Sequence, residues 1–407
     1  MPTTVDTTLL DNGVVVISEK VPARRQVSLS LTLVRGSRHQ DAGENGFAHL
    51  LEHMLFKGTR HRDGEAINRS SEALGGGINA FTDRELTVLH ATVLEEDADE
   101  AFRLLAELVL EPRIDPSDLK MERRVVAQEA AMASEDIEDW VFERAIGSFW
   151  GKHPLAWPVL GRSSIIRRVS VRRLKDFHTS WLAGTPILVT AAGALEHGRL
   201  TAWVQEAFSG LPARQWPKAV PPSPHSGQEI HRNRNTRQAH LLWMAPAAPY
   251  GHQEHLVELL ANTILGGGTA SRLFRELRER RGLAYQLYSQ VEALSDTGEW
   301  SLYAAVPAAQ RREAEQTVAQ VLETLGENGP VQEELQWARS SLRKQWLLGQ
   351  EDLDTRMGRL TRQYLYLGQC TPEGEILAAM ERVTAGLLRD AYARAWNRRM
   401  EWSCVPG

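Results

Sequence analysis

His49, Glu52 and His53 stand at positions i, i+3 and i+4, a spacing that brings all three side chains to one face of an α-helix. Two imidazoles one turn apart can chelate a single metal ion, and a carboxylate beside them can take a proton from a hydrolytic water. His-x-x-Glu-His is also the inverted form of the helical zinc motif. The competing reading is a polar helix face without metal. The neighbouring residues weigh against it. Phe47, Leu50, Leu51, Met54 and Leu55 form an apolar stripe of helical period, and at about 100° per residue it lies almost opposite the histidines. The helix packs by one side and presents two imidazoles and a carboxylate on the other.

Hydrolytic zinc takes three protein ligands and keeps one position open for water, so a third ligand must come from elsewhere. Residues 116–135, PSDLKMERRVVAQEAAMASE, read as a helix with Pro near its start and strong helix formers throughout. Glu122 and Glu129 are seven residues apart and share nearly the same face of it. By spacing, either completes the site, or both are ordinary solvated carboxylates.

Further elements must position these groups. The chain has 407 residues, 42% hydrophobic and 24% charged, a globular composition with room for two or three domains. Residues 211–228 hold five prolines and no helical or strand period, which reads as a connection between two pieces of similar size. The two pieces follow one plan. Strand-like runs Val27–Val34 and Ala239–Met244 open them. Helices follow with related lettering, His49-Leu-Leu-Glu52-His53 against His255-Leu-Val-Glu258-Leu259. Gly-rich patches with a strand come next, at 75–80 and 282–285, then long helices around 118–122 and 334–338. Strands and helices mix without strict alternation. The expected class is therefore α+β, in two tandem homologous domains each built on a largely antiparallel sheet flanked by helices. The expected domains are 1–211, carrying the metal site, a linker over 212–228, and 229–407.

The run Gly46–Thr59, GFAHLLEHMLFKGT, resembles the signature of the pitrilysin-type, or inverzincin, metallopeptidases. Leu10-Asp11-Asn12-Gly13 matches the family's opening strand, and Leu74–Thr82, LGGGINAFT, its substrate-edge segment. Arg272-Leu273-Phe274 through Arg278, with Gly282-Leu283-Ala284-Tyr285, matches its C-terminal signature. The resemblance runs over nearly the whole chain. It implies His49, His53 and Glu129 as ligands of one Zn²⁺ per chain, Glu129 standing 76 positions after the second His. It implies Glu52 as general base and Glu122 as a carboxylate supporting the site without binding metal. Asn79, Ala80, Phe81 and Thr82 would form the edge to which a peptide adds as a strand. Arg278 and Tyr285 would contact substrate and stabilise the oxyanion. In the second copy Leu259, Ala338 and Gln345 replace the second His and the two Glu, so no second metal is expected, and His255 and Glu258 are expected at the surface.

The implied activity is that of a zinc endopeptidase acting on small or unfolded peptides in a closed chamber. The alternative is a non-catalytic peptide-binding or scaffold subunit. One chain supplies half of such a chamber, so a homodimer is expected, or else a heterodimer with a related chain. A formal charge of −5 argues against a nucleic-acid partner. Two cysteines cannot build a disulfide framework. With no basic, apolar leader and no apolar window of about 18 residues, the expectation is a cytoplasmic protein without a membrane span.

Overall fold

The computed structural model of the chain describes residues 4–213, 216, 220–233 and 236–407. Residues 214, 215 and 217–219 of the expected connection, and residues 1–3 of the first expected domain, lie outside the described residues. The strands are β1 (Thr4–Leu9), β2 (Val15–Lys20), β3 (Gln26–Leu33), β4 (Ile78–Thr82), β5 (Thr87–Leu94), β6 (Ile187–Gly193), β7 (Gly227–Asn233), β8 (Gln238–Ala247), β9 (Gln286–Ala293), β10 (Gly298–Pro307) and β11 (Met400–Pro406). In the first half of the chain the helices are α1 (Phe47–Leu55), α2 (Gly64–Ala73), α3 (Ala98–Leu110), α4 (Pro116–Glu135), α5 (Ile137–Trp150), α6 (Ser163–Ile166), α7 (Val171–Gly184) and α8 (His197–Phe208). The second half holds α9 (Gln253–Leu265), α10 (Arg311–Asn328), α11 (Gln332–Gly349), α12 (Leu353–Leu367), α13 (Glu373–Arg382) and α14 (Ala385–Trp396).

The strands make two sheets, ordered β1-β2-β6-β3-β5-β4 and β7-β11-β8-β10-β9. In each, one pair is parallel, β2 with β6 and β7 with β11, and the rest are antiparallel. Stripped of β1, the first sheet has the order and pairing sense of the second, element for element. The α+β repeat expected from sequence is therefore the fold. The second copy's strand begins at Gln286 rather than at Gly282, because a π-helical segment, Phe274–Arg280, precedes it.

The first sheet shows why its strands form. On β3, Val27, Leu29, Leu31 and Leu33 alternate with Ser28, Ser30 and Thr32, the period of a pleated strand. The aliphatic set joins the main core with α1 and α3. The hydroxyl set faces the other way and is buried as well. Its cover is α12. Thr361 donates to Thr190 Oγ1 at 3.0 Å, Leu360 packs with Val15, Ile17 and Leu188, and Arg356 and Arg359 both reach the buried Glu19, at 2.8 and 3.0 Å.

In the second sheet β8 reads apolar on both faces, as a strand covered on both sides must. Leu241 and Trp243 share a core with α9, α10 and α14, while Leu242 and Met244 pack with Val141, Ala145 and Phe149 of α5. The compact units are accordingly not contiguous halves. Met1–Met132, Trp157–Lys218 and Gly349–Cys370 form one; Ala133–Ala156, Ala219–Leu348 and Thr371–Gly407 form the other. Relative to the expected domains 1–211 and 229–407, α5 and α12 have changed sides. The physical reason is burial, since each sheet has two faces to cover and the second cover comes from the other repeat. Residues 220–226 carry no helix or strand, and β7 starts at Gly227, inside the expected connection. No described helix is long and apolar enough to cross a membrane.

Candidate metal centre

The apolar stripe of α1 is buried as its period demands: Phe47, Leu50, Leu51, Met54 and Leu55 are each at most 1% exposed. The helix starts at Gly46, whose φ of +92° favours glycine. A Cβ there would lie 2.6 Å from the Gly161 Cα, so two glycines let the loop before α6 close on the start of the motif helix.

With that face fixed, His49 and His53 turn toward α4. Glu129 Oε2 lies 3.7 Å from His49 Nε2 and 3.5 Å from His53 Nε2. One ligand atom from each of the three residues falls within 4.8 Å of the others, the sole such group among the described residues. Tetrahedral zinc with bonds of about 2.1 Å sets its ligand atoms about 3.4 Å apart. Glu129 Oε2 is buried and has no hydrogen-bond partner among the described residues. A carboxylate oxygen facing two imidazole nitrogens at these separations fits a metal cation. The donor set, two nitrogens and one oxygen, suits Zn²⁺.

Glu122, one helical repeat earlier, does a different job. Its Oε2 accepts from His53 Nδ1 at 2.9 Å. A carboxylate only accepts, so Nδ1 carries the proton and Nε2 presents its lone pair to the cluster. The other oxygen, Oε1, accepts from Lys57 Nζ at 2.8 Å. Glu122 is 3% exposed, and this ammonium provides the charge that lets it stay buried. His49 lacks such an orienting bond. Its ring meets that of His53 edge-on at 4.7 Å, and its Nδ1 is buried without a partner among the described residues. Burial, with His53 beside it, pushes the His49 pKa down to about 4, so at neutral pH the ring is the neutral, ligating form.

Glu52 lies on the same face of α1. Burial pushes its carboxyl above the ordinary range, opposed by a hydrogen bond from Thr82 and by His53. Thr82 Oγ1 donates to Glu52 Oε2 at 2.6 Å. The strand that carries Thr82 is β4, at the edge of the first sheet and paired only with β5. A triple-glycine turn delivers it. Gly75 and Gly77 have φ of +75° and +70°, and a Cβ on Gly76 would sit 1.7 Å from the Thr92 carbonyl oxygen. Ile78 and Ala80 pack on the core, whereas Asn79 and Phe81 are exposed.

Arg278 and Tyr285 belong to the second unit. The Arg278 guanidinium lies over the Tyr285 ring at 4.4 Å and over Phe274 at 4.8 Å, and its Nη1 donates to the Tyr285 carbonyl at 3.1 Å. Neighbouring Glu276 pairs with Arg280 and Arg281. Arg278 makes no ion pair among the described residues and remains available to a ligand, as does the 82% exposed Tyr285.

The second copy's counterpart of the motif departs from expectation. Glu258 is 1% exposed rather than at the surface. It accepts from the Ala248 N–H at 2.8 Å and faces Arg394 at 3.4 Å, and burial pushes its pKa up to about 7. His255 packs on Tyr250 at 5.2 Å and is half-buried. Without the second imidazole, these residues have turned into the packing of α9. Two contributors at the first site were missed in the sequence, Lys57 and the hydroxyl of Thr82. Lys57 stands four residues after His53, a helical spacing that could have drawn attention to it.

The chain is built of two matched repeats, one of which gathers a His-His-Glu cluster with a further carboxylate beside it. The models of two family domains match the chain, "Insulinase (Peptidase family M16)" over residues 15–163 and "Peptidase M16 inactive domain" over 168–342. The chain belongs to peptidase family M16. It is similar to a Mycobacterium leprae protein named an uncharacterized zinc protease, with 34% identity over 96% of this chain and 89% of that one. A Streptomyces coelicolor protein of the same description is 31% identical over 99% of this chain and 89% of its own. In fold it is similar to a crystal structure from Pseudomonas fluorescens titled as a peptidase M16 inactive domain, with TM-score 0.91, 21% identity and coverage of 99% and 98%. The family and the names of its relatives support a peptidase-like role and a zinc ion.

Proposed function

We propose that the protein is a zinc-dependent endopeptidase that hydrolyses small or unfolded peptides. The observation that carries this reading is the Glu129 oxygen, buried, without a hydrogen-bond partner among the described residues, and facing the Nε2 atoms of His49 and His53. Those three residues would hold one Zn²⁺ per chain, which when bound polarises the scissile carbonyl and acidifies its water. Glu52 takes the proton of the attacking water and returns it to the leaving amine nitrogen. Glu122 keeps His53 in the tautomer that ligates. A peptide lying along the free edge of β4, at Asn79 to Thr82, would pair by main chain, so that an extended shape matters more than side chains. Arg278 and Tyr285 would steady the substrate main chain and the oxyanion.

Metal analysis with cleavage of a quenched peptide tests this. The wild type should hold about one zinc per chain; His49→Ala, His53→Ala and Glu129→Gln should lose it. Glu52→Gln should keep zinc while turnover falls by roughly 10² or more. Stoichiometric zinc in both histidine variants, or near-normal turnover in Glu52→Gln, refutes the assignment. A zinc-loaded wild type that cuts no peptide leaves the non-catalytic subunit role in its place. The reading extends to assembly as a homodimer enclosing the substrate, which spares stable folded proteins. Light scattering beside the cleavage assay checks it, and a fully active monomer or efficient cutting of native proteins refutes it.

A further inference from the structure

Thr82 ends the edge strand β4, yet its side chain does not lie with the exposed ones. By strand alternation it shares the α1 face with Ile78 and Ala80, opposite Asn79 and Phe81. Its Oγ1 stands 2.6 Å from Glu52 Oε2, the length of a hydrogen bond from a hydroxyl to a carboxylate. No other hydrogen bond to Glu52 exists among the described residues. Behind it, the cross-strand partner Thr87 is fully buried and lies 3.3 Å away, oxygen to oxygen. Thr82 has one proton, which goes to the carboxylate. The Thr87 proton is therefore the one that bridges the two hydroxyls or turns to the Arg35 carbonyl at 3.2 Å. Thr82 is thus held from β5 and holds Glu52 in turn.

The geometry points to Thr82 as a positioning residue for the general base: its hydroxyl occupies Glu52 Oε2 and leaves Oε1 to receive the proton of the attacking water, so that the strand aligning the peptide also aims the base. This rests on the peptidase reading above. In the reaction a water proton passes to Glu52 Oε1 as the water oxygen bonds the carbonyl carbon. The same proton then passes to the amine nitrogen as the C–N bond breaks, and Glu52 is regenerated. A glutamate side chain left unheld samples several rotamers, and each one that carries Oε1 away from the water is unproductive. Peptide affinity comes from the main chain of β4, so loss of the hydroxyl should act on kcat and not on KM.

Thr82→Val removes the hydroxyl and keeps the shape; Thr82→Ser keeps the hydroxyl; Thr82→Ala serves in place of the valine variant if that one does not fold. The measurements are kcat and KM on a quenched peptide, zinc affinity by chelator competition, and the position of the Glu52 carboxylate in crystals of each variant. The expected result is a fall in kcat of roughly 10–100-fold in Thr82→Val, with KM and zinc affinity within about twofold and the Glu52 carboxylate displaced. Thr82→Ser should keep Glu52 in place and most of the turnover. A wild-type kcat in Thr82→Val, a loss confined to KM, an equal loss in Thr82→Ser, or an unmoved Glu52 in Thr82→Val overturns the proposal. A wild type that binds zinc but cleaves nothing refutes the peptidase reading, and the position of Glu52 in the valine and serine variants then decides the role of Thr82 separately.

Discussion

Lys57→Met should weaken zinc binding although Lys57 is not a ligand. The side chain reaches Glu122 Oε1 at 2.8 Å, and Glu122 Oε2 holds His53 Nδ1 at 2.9 Å. Methionine keeps the unbranched stem and removes the ammonium. Glu122, 3% exposed, then keeps a carboxylate oxygen with no donor. A lost hydrogen bond to a charged group costs about 1.5–3 kcal/mol. Loss of an outer partner of a ligating histidine typically costs about 10–100-fold in metal affinity, which is about 1.4–2.7 kcal/mol on the same scale. The two figures agree. Lys57 is 37% exposed, so solvent screening places the expected effect near the lower end, about tenfold. Chelator competition at neutral pH reads it directly, and Lys57→Arg, which keeps a cation in reach, should recover most of the affinity. Zinc affinity within about twofold of wild type in Lys57→Met would show that Glu122 orients His53 without help, and an equal loss in Lys57→Arg would show that the stem rather than the charge matters.

Glu258→Gln should stabilise the protein in a pH-dependent way. The folded pKa of about 7 exceeds the ordinary 4.5, so the buried carboxyl favours folding in acid and opposes it increasingly as pH rises from about 4.5 to 7. The gain should approach about 3 kcal/mol at pH 8 and vanish toward pH 4.5, as read from urea midpoints; a gain independent of pH would refute it. Residues 1–211 expressed alone should aggregate or stay unfolded. They lack α12, so Val15, Ile17, Leu188 and the charged Glu19 have no cover, and the lost Leu360 alone is worth about 1.5–3 kcal/mol. A cooperative thermal transition in that fragment would show that the exchanged helix is dispensable. Arg278→Leu should lower kcat/KM by roughly 10²-fold with zinc content unchanged, and an unaltered kcat/KM would remove Arg278 from the chemistry.

Much was legible in the sequence because it depends on local period and spacing. The α1 stripe and the histidine face opposite it follow from 3.6 residues per turn, and the structure buries the first and gathers the second with Glu129. The repeat was legible too, since its order of strands, glycines and long helices survives where individual residues do not. Spacing alone could not choose between Glu122 and Glu129, because seven residues return a helix to nearly the same face. The choice depends on where α4 crosses α1, which sets Glu122 against His53 Nδ1 and Lys57 and sets Glu129 against the two Nε2 atoms.

Three further features exist only in the folded chain. Glu258 sits in lettering nearly identical to that around Glu52, yet it is buried beside the Ala248 N–H and Arg394, because what surrounds a helix face decides whether it meets solvent. The hydrogen bond from Thr82 to Glu52 joins residues 30 apart in sequence and depends on which side of β4 faces α1. The exchange of α5 and α12 runs against chain order. A hydrophobic face specifies that it must be covered and not by which segment, since burial is non-directional; residue order sets the faces, and packing in three dimensions chooses their partners.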